Sequence, residues 1–256
     1  MSAAYDEIGR DYSQHRRPDP RLAASISEAL GDAGSVINVG AGAGSYEPPD
    51  RDVLAVEPSA MMIAQRRPGS ARAVQASAES LPVADDSFDA ALAVLTVQHW
   101  SDVARGLAEL ARVARRRVVV VTMDVDKLGE LWLVREYVPE TLAAHAAAFP
   151  TIASLRRALP TTSVSVLAVP HDCTDWFMAA LWARPEAHLD ASIRRATSTW
   201  HQLPPDVVER ALAALHSDLE SGRWDARHGH LRRTPSLDVG LRIVRAELGE
   251  PISPGD

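Results

Sequence analysis

Ser35-Val-Ile-Asn-Val-Gly-Ala-Gly-Ala-Gly-Ser45 decides how this chain folds. Val36 to Val39 is a short apolar run rich in β-branched side chains, the pattern of a strand buried in a parallel sheet. It stops at three glycines in alternate positions, Gly40, Gly42 and Gly44. Glycines there let the backbone turn tightly and approach a ligand where a Cβ would collide. A glycine loop after a first strand predicts a nucleotide-like ligand at the carboxyl end of a doubly wound sheet.

The residues that follow keep to that plan. Pro48 and Pro49 leave room for only a short helix after the loop. Asp52 to Val56 reads as a second strand ending in Glu57, 17 residues beyond Gly40. An acid there is placed to accept hydrogen bonds from ribose hydroxyls. Its alternative role is a helix N-terminal carboxylate facing the dipole. Ser59 to Arg67 reads as a helix with Ser59 as N-cap. Further strands are expected at 71–75, 90–95 and 118–122, with an amphipathic helix from Asp102 to Val113 between the last two. Thr96-Val-Gln-His-Trp100 falls at the carboxyl edge, where reacting groups collect in open α/β sheets.

Upstream, a short helix with Tyr12 and Arg16 precedes a second helix carrying Leu22, Ile26 and Leu30, with Pro18 and Pro20 between them. Tyr12 and Arg16 are either an exposed i, i+4 pair or part of a lid over the ligand. Downstream the β-α alternation ends near residue 123. A strand at 163–169, a mainly helical stretch at 171–233 and a last strand at 237–244 follow. The fold class expected is α/β, a Rossmann-like, doubly wound, seven-stranded and mostly parallel sheet. It carries an N-terminal helical lid (1–30), a cofactor-binding core (31–125) and a helical insertion before the last strand (171–233), all in one domain spanning 1–256.

Composition narrows the functions. The net charge of −7 gives a nucleic-acid partner no general electrostatic support. No apolar run approaches the ~20 residues of a membrane span, and Met-Ser-Ala-Ala-Tyr-Asp-Glu lacks the start of a secretion signal. The single cysteine, Cys173, rules out an internal disulfide and suits a reducing cytoplasm. It reads as a small buried residue. No Cys/His grouping has the spacing of a metal site.

These motifs resemble the class I S-adenosylmethionine-dependent methyltransferases, specifically the small-molecule group with the ubiquinone/menaquinone-type domain. The likeness covers about residues 5–125. Val36 to Gly44 looks like the first motif and Glu57 like the ribose-holding acid. Ala78-Glu79 with Leu81-Pro82 is similar to the segment beside the adenine, and Ser87-Phe-Asp89 leads into the strand whose end, near Leu95, lies by the methionine moiety. Glu109-Leu-Ala-Arg-Val113 matches an E-x-x-R-V helix, and Tyr12 with Arg16 resembles an N-terminal Tyr-x-x-x-Arg. Asn38 stands where the family usually carries an acid, and Ser77 where an Asp is common.

The resemblance implies S-adenosyl-L-methionine as cofactor and S-adenosyl-L-homocysteine as product. It implies contacts from Tyr12, Arg16, Asn38, Gly40, Ala41, Gly42, Gly44, Glu57, Pro58, Met62, Ser77, Ala78, Glu79 and Leu95. The reaction implied is methyl transfer to O, N or C of a small-molecule acceptor, in specialised metabolism, by a monomer or homodimer. A cyclisation or rearrangement on the same scaffold and a non-catalytic binding module are the alternatives. A base near neutral pKa would assist a hydroxyl or acidic-carbon acceptor. His99 is the first candidate, against a plain capping role, and His171 in His171-Asp-Cys-Thr-Asp175 is the second. Asp225-Ala-Arg-His-Gly-His230 is a polar turn that could touch substrate. Trp176, Trp182 and Trp200 read as core or as an apolar acceptor pocket.

Overall fold

The computed structural model describes residues 16–249. They divide into two compact units. Pro20–Met123, Phe149–Ser165 and the residues from Arg242 on make one, and 16–19 with Asp124–Ala148 and Val166–Leu241 make the other.

The first unit holds the sheet. Its strands are β1 (Ser35–Val39), β2 (Asp52–Val56), β3 (Arg72–Val74), β4 (Phe88–Val94), β5 (Ala114–Met123), β6 (Thr162–Val166) and, after the two short strands described below, β9 (Leu241–Glu247). They lie in the order β3-β2-β1-β4-β5-β9-β6. β1 pairs in parallel with β2 and β4, β2 with β3, and β4 with β5. This is the expected Rossmann-like α/β sheet. β1 and β4 are neighbours although β2 and β3 separate them in sequence, so the winding direction reverses between them. Ligands bind at the carboxyl ends of the strands at such a switch point.

Side-chain chemistry fixes β1 at its start. The Asp89 carboxylate accepts from Gly34 N (2.9 Å), Ser35 N (2.9 Å) and Ser35 Oγ (3.1 Å). Arg115, 2.7 Å away, holds that carboxyl far below the usual range against the opposing effect of burial. β5 begins earlier than its apolar core suggests because Arg115, Arg116 and Arg117 find fixed partners. Arg116 reaches Asp32 at 2.7 Å, and Arg117 Nη1 donates to Leu30 O at 2.8 Å, closing the end of helix Pro20–Leu30. That helix buries Leu22, Ile26 and Leu30 along one stripe.

The helix Val103–Val113 has Asp102 as N-cap, accepting from Arg105 N at 3.0 Å. Its Glu109 and Arg112 form a clamp. Glu109 Oε2 accepts from Leu81 N (2.8 Å), while Arg112 donates to Val83 O (2.9 Å) and Leu81 O (3.2 Å). Arg112 also pairs with Glu109 at 2.6 Å and with Asp85 at 2.7 Å. The E-x-x-R-V pattern thus secures the 81–85 loop. Arg112→Ala should lower unfolding free energy by about 1–3 kcal/mol, because two carbonyls and two carboxylates lose a donor. Urea unfolding checks this, and a loss below about 0.5 kcal/mol would mark the clamp as incidental.

Several expected boundaries shift. No helix follows the glycine loop: residues 41–46 turn repeatedly, with Tyr46 at φ 61°. Ser59 is the expected cap, accepting from Met62 N at 3.3 Å, but its helix stops at Ala64 rather than Arg67. The strand expected over 163–169 divides into β6 and β7 (Val169–Pro170), and β7 pairs antiparallel with β8 (Ser236–Leu237) in a separate two-stranded sheet. The last long strand therefore starts at Leu241 rather than 237. An Asp-x-Gly turn intervenes, in which Asp238 Oδ1 accepts from Gly240 N at 2.9 Å and Gly240 takes φ 98°.

The second unit is mainly helical, with the short β7–β8 sheet. Between β7 and β8 run helices Ala191–Arg195, Ser198–His201, Pro205–Glu220 and Arg223–His228, with short 3-10 turns. Its aromatic residues gather around Trp132. Tyr137 lies edge-on to it at 5.8 Å, His188 at 5.7 Å and Trp224 at 5.2 Å. Residues 225–230 are helical rather than a turn, since Trp224 and His228 share one buried face. Their polar groups are used internally: Asp225 pairs with Arg232 and His228 with Glu136. Among the described residues no helix is long and apolar enough to cross a membrane.

Candidate functional site

At the switch point, the turn after β1 and the turn after β4 meet closely. Gly40 has φ 70°, and a Cβ on it would stand 1.9 Å from Thr96 Oγ1 and 2.7 Å from Thr96 Cβ. Only glycine permits that approach. Gly40 N and Ala41 N both donate to Val56 O, at 2.8 and 3.1 Å, drawing the loop over the end of β2. Gly42 and Gly44 also have positive φ, at 53° and 91°. Leu95, with φ 49°, ends β4 on the same edge, and its N–H donates to Val121 O at 2.9 Å.

Glu57 lies buried at the end of β2. One carboxylate oxygen accepts from Gly42 N (2.8 Å) and the other from Ser59 N (3.0 Å). Each oxygen keeps a lone pair for a further donor. Glu57 thus holds the N-terminal turn of the next helix with one oxygen and the glycine loop with the other. Met62 approaches the same loop, its Cε 3.3 Å from where a Gly42 Cβ would lie.

Asn38 is buried and donates through Nδ2 to Glu47 Oε1 at 3.4 Å. Glu47 in turn receives Arg66 Nη2 on both oxygens at 2.8 Å, the two side chains being 9% and 6% exposed. Arg66 also donates to Gly42 O (3.3 Å) and Ala71 O (2.9 Å). The carboxylate missing at position 38 is therefore supplied one hydrogen bond away, from the loop. A second acid at 38 would face Glu47 as a like charge, which disfavours ionisation of both. A neutral amide fits where an acid would not. Sequence reasoning missed Glu47 and Arg66, because nothing in the local pattern announces partners 19 residues apart.

Other expected residues take local roles. Ala78 is buried in the core of the sheet unit. Glu79 Oε1 accepts from Ser101 N, Ser101 Oγ and Asp102 N at 2.8–3.2 Å. Burial works to raise its pKa, but these donors prevail and lower it. Pro58 O accepts from Gln75 Nε2 at 3.0 Å, and Ser77 O from Ser80 N at 3.3 Å. Tyr12 lies outside the described residues. Arg16 pairs with Asp175 at 2.5 Å within the second unit.

His99 ends the 3-10 turn Val97–His99 after β4, and its N–H donates to Thr96 O at 2.8 Å. Burial lowers its pKa from 6.5, so the ring is neutral at pH 7. Gln98 Nε2 lies 3.2 Å from His99 Nε2 and donates to Leu95 O at 2.8 Å. With the amide donating, His99 accepts through Nε2 and carries its proton on Nδ1. His171 is exposed in the second unit, with Nδ1 3.3 Å from Pro235 O and 4.0 Å from Asp172 Oδ1. Cys173 is fully buried and its thiol is pushed up to about 12 by burial, so it is not a thiolate nucleophile at neutral pH. Among the described residues no cluster of three or more His, Cys, Asp or Glu side chains could hold a metal ion.

Residues 37–122 match the family model described as a methyltransferase domain. The chain is 31% identical over 155 residues to a malonyl-[acyl-carrier protein] O-methyltransferase of Pseudescherichia vulneris. That alignment covers 57% of this chain and 62% of the relative, so the chain spans less than two thirds of it. The crystal structure of a putative methyltransferase from an antibiotic biosynthesis pathway of Anabaena variabilis superposes with a TM-score of 0.84 at 29% identity. It is covered completely, over 92% of this chain. A geranyl diphosphate C-methyltransferase of Streptomyces coelicolor, solved with S-adenosyl-L-homocysteine, shares the fold at a TM-score of 0.51 and 13% identity, over 89% of this chain and 75% of that one.

Proposed function

Because the chain belongs to the class I S-adenosylmethionine-dependent methyltransferases, we propose that it moves a methyl group from S-adenosyl-L-methionine to O, N or C of a small-molecule acceptor. One observation carries this most strongly: a left-handed glycine loop pressed against Thr96 at the β1/β4 switch point, beside the buried acceptor Glu57. The site suits the cofactor, since Glu57 keeps lone pairs to offer to ribose hydroxyls beside the glycine loop. The loop would hold the cofactor's backbone-facing side, and Glu57 its ribose. The bound group supplies a methyl on a sulfonium, already activated for in-line displacement.

What remains for the protein is mainly positioning, worth up to ~7–11 kcal/mol in well-oriented systems. Where the acceptor is a hydroxyl or an acidic carbon, His99 would take its proton on Nε2, the acceptor group replacing the Gln98 amide at that nitrogen. His99→Gln should then lower kcat by about 10²–10⁴-fold with cofactor affinity little changed. The sign of the pH profile follows from the depressed pKa: the base stays neutral until the pH falls below 6.5, so the acid limb lies below that value. A limb at or above 6.5, or full turnover in His99→Gln, would remove His99 from the reaction.

The likeness to a pathway enzyme of antibiotic biosynthesis favours an acceptor from specialised metabolism. The single cysteine favours a cytoplasmic setting. A rearrangement on the same cofactor scaffold is the second reading, suggested by Asn38 where the usual acid is absent. Incubation with methyl-labelled S-adenosylmethionine and a panel of hydroxyl, amine and acidic-carbon compounds separates them. Methyl transfer places label in a small molecule together with S-adenosyl-L-homocysteine. Binding without any demethylated product would favour the second reading.

A further inference from the structure

Within the second unit, Leu131, Trp132, Val134, Met178, Trp182 and His188 line a cavity of about 10 Å³. Its indole donors are already used: Trp132 Nε1 donates to Trp182 O (2.8 Å), and Trp182 Nε1 to Val169 O (3.1 Å). His188 is different. It is 1% exposed, and neither ring nitrogen has a hydrogen-bond partner among the described residues. Such a group is retained against a clear stability penalty, and each one calls for an explanation.

We propose that this cavity is the recognition end of a binding site for a small, largely apolar molecule, whose single hydroxyl group hydrogen-bonds the His188 imidazole. A neutral imidazole offers one donor and one acceptor, and a hydroxyl is the smallest group that answers either. Burial, with Arg194 and Arg184 nearby, pushes the His188 pKa down to about 3, so the ring is neutral at working pH. The same cations disfavour a positively charged ligand, and the lining holds no carboxylate to offset one. Trp132 and Trp200 stand 5.7 and 6.0 Å from the His188 ring and restrict its rotation. The volume admits roughly one water-sized group, which limits the recognised end to a hydroxyl. The body of the ligand enters by displacing Met178, an unbranched and adaptable side chain on the short turn Met178–Leu181.

The test compares phenol with benzene, added to the full chain without cofactor and followed through the ¹⁵N resonances of the His188 ring. Phenol should bind about tenfold more tightly than benzene and move both ring nitrogens. His188→Gln, which keeps a donor and an acceptor, should retain the preference, and His188→Phe should bind the two probes equally. Equal binding by the wild-type chain, no binding of either probe, or an unmoved His188 ring would overturn the proposal. The wild-type comparison decides even if a variant fails to fold. It is also independent of methyl transfer.

Discussion

Gly40→Ala is expected to destabilise the protein by roughly 2–5 kcal/mol and to weaken cofactor binding by more than about 100-fold. Two effects add. The left-handed φ of 70° costs an alanine about 1–2 kcal/mol. The new Cβ would also lie 1.9 Å from Thr96 Oγ1, 2.7 Å from Thr96 Cβ and 2.8 Å from Thr96 Cγ2. A rotamer change can remove Oγ1 but not Cβ, so one of the two turns must move, an overpacking effect of about 1–3 kcal/mol. Displacing either turn alters the surface that receives the cofactor. Gly42→Ala is the informative contrast, because its Cβ meets only the flexible end of Met62, at 3.3 Å. It should show backbone strain without the collision. Urea unfolding with calorimetric titration of both variants checks this, and equal behaviour would show that the Gly40–Thr96 approach is unimportant.

Arg66→Ala should lower unfolding free energy by about 3–5 kcal/mol, the range for removing one partner of a buried ion pair. Glu47, 9% exposed beside its partner, would lose both charged hydrogen bonds and keep the weaker one from the Asn38 amide, 3.4 Å away. Replacing both Glu47 and Arg66 by Met should recover most of that loss, since a buried pair exchanged for apolar groups is often near neutral. Cofactor affinity should stay low in the double variant, because the bonds from Arg66 to Gly42 O and Ala71 O are gone. No helix follows the glycine loop, and this arginine provides the anchorage that a helix would give. A loss under about 1 kcal/mol for Arg66→Ala would place the pair among ordinary surface bridges.

The parts of the fold legible in sequence were those encoded by local pattern. β1, β2 and β4 announce themselves as apolar runs ending in glycine, acid or turn residues, and Ser59 and Asp102 cap as their positions suggest. Long-range pairing was not legible. The strand expected over 118–122 begins at Ala114, because Asp89, Asp32 and the Leu30 carbonyl receive Arg115, Arg116 and Arg117. The 163–169 segment read as one strand because nothing apolar marks the break before Val169–Pro170. Within the site, Gly40 and Glu57 were visible from spacing alone, whereas Glu47 and Arg66 became visible only through partners far along the chain. Asn38 looked like a loss in sequence. In three dimensions it is the neutral neighbour that a buried carboxylate requires.

The central claim is that the β1/β4 edge, with Gly40, Gly42 and Glu57, holds S-adenosylmethionine. Calorimetric titration of S-adenosyl-L-homocysteine into the full wild-type chain tests it most directly. The expected result is saturable one-to-one binding with a Kd tighter than about 1 mM, a binding free energy beyond about −4.1 kcal/mol. Absence of saturable heat with the ligand at millimolar concentration would contradict it.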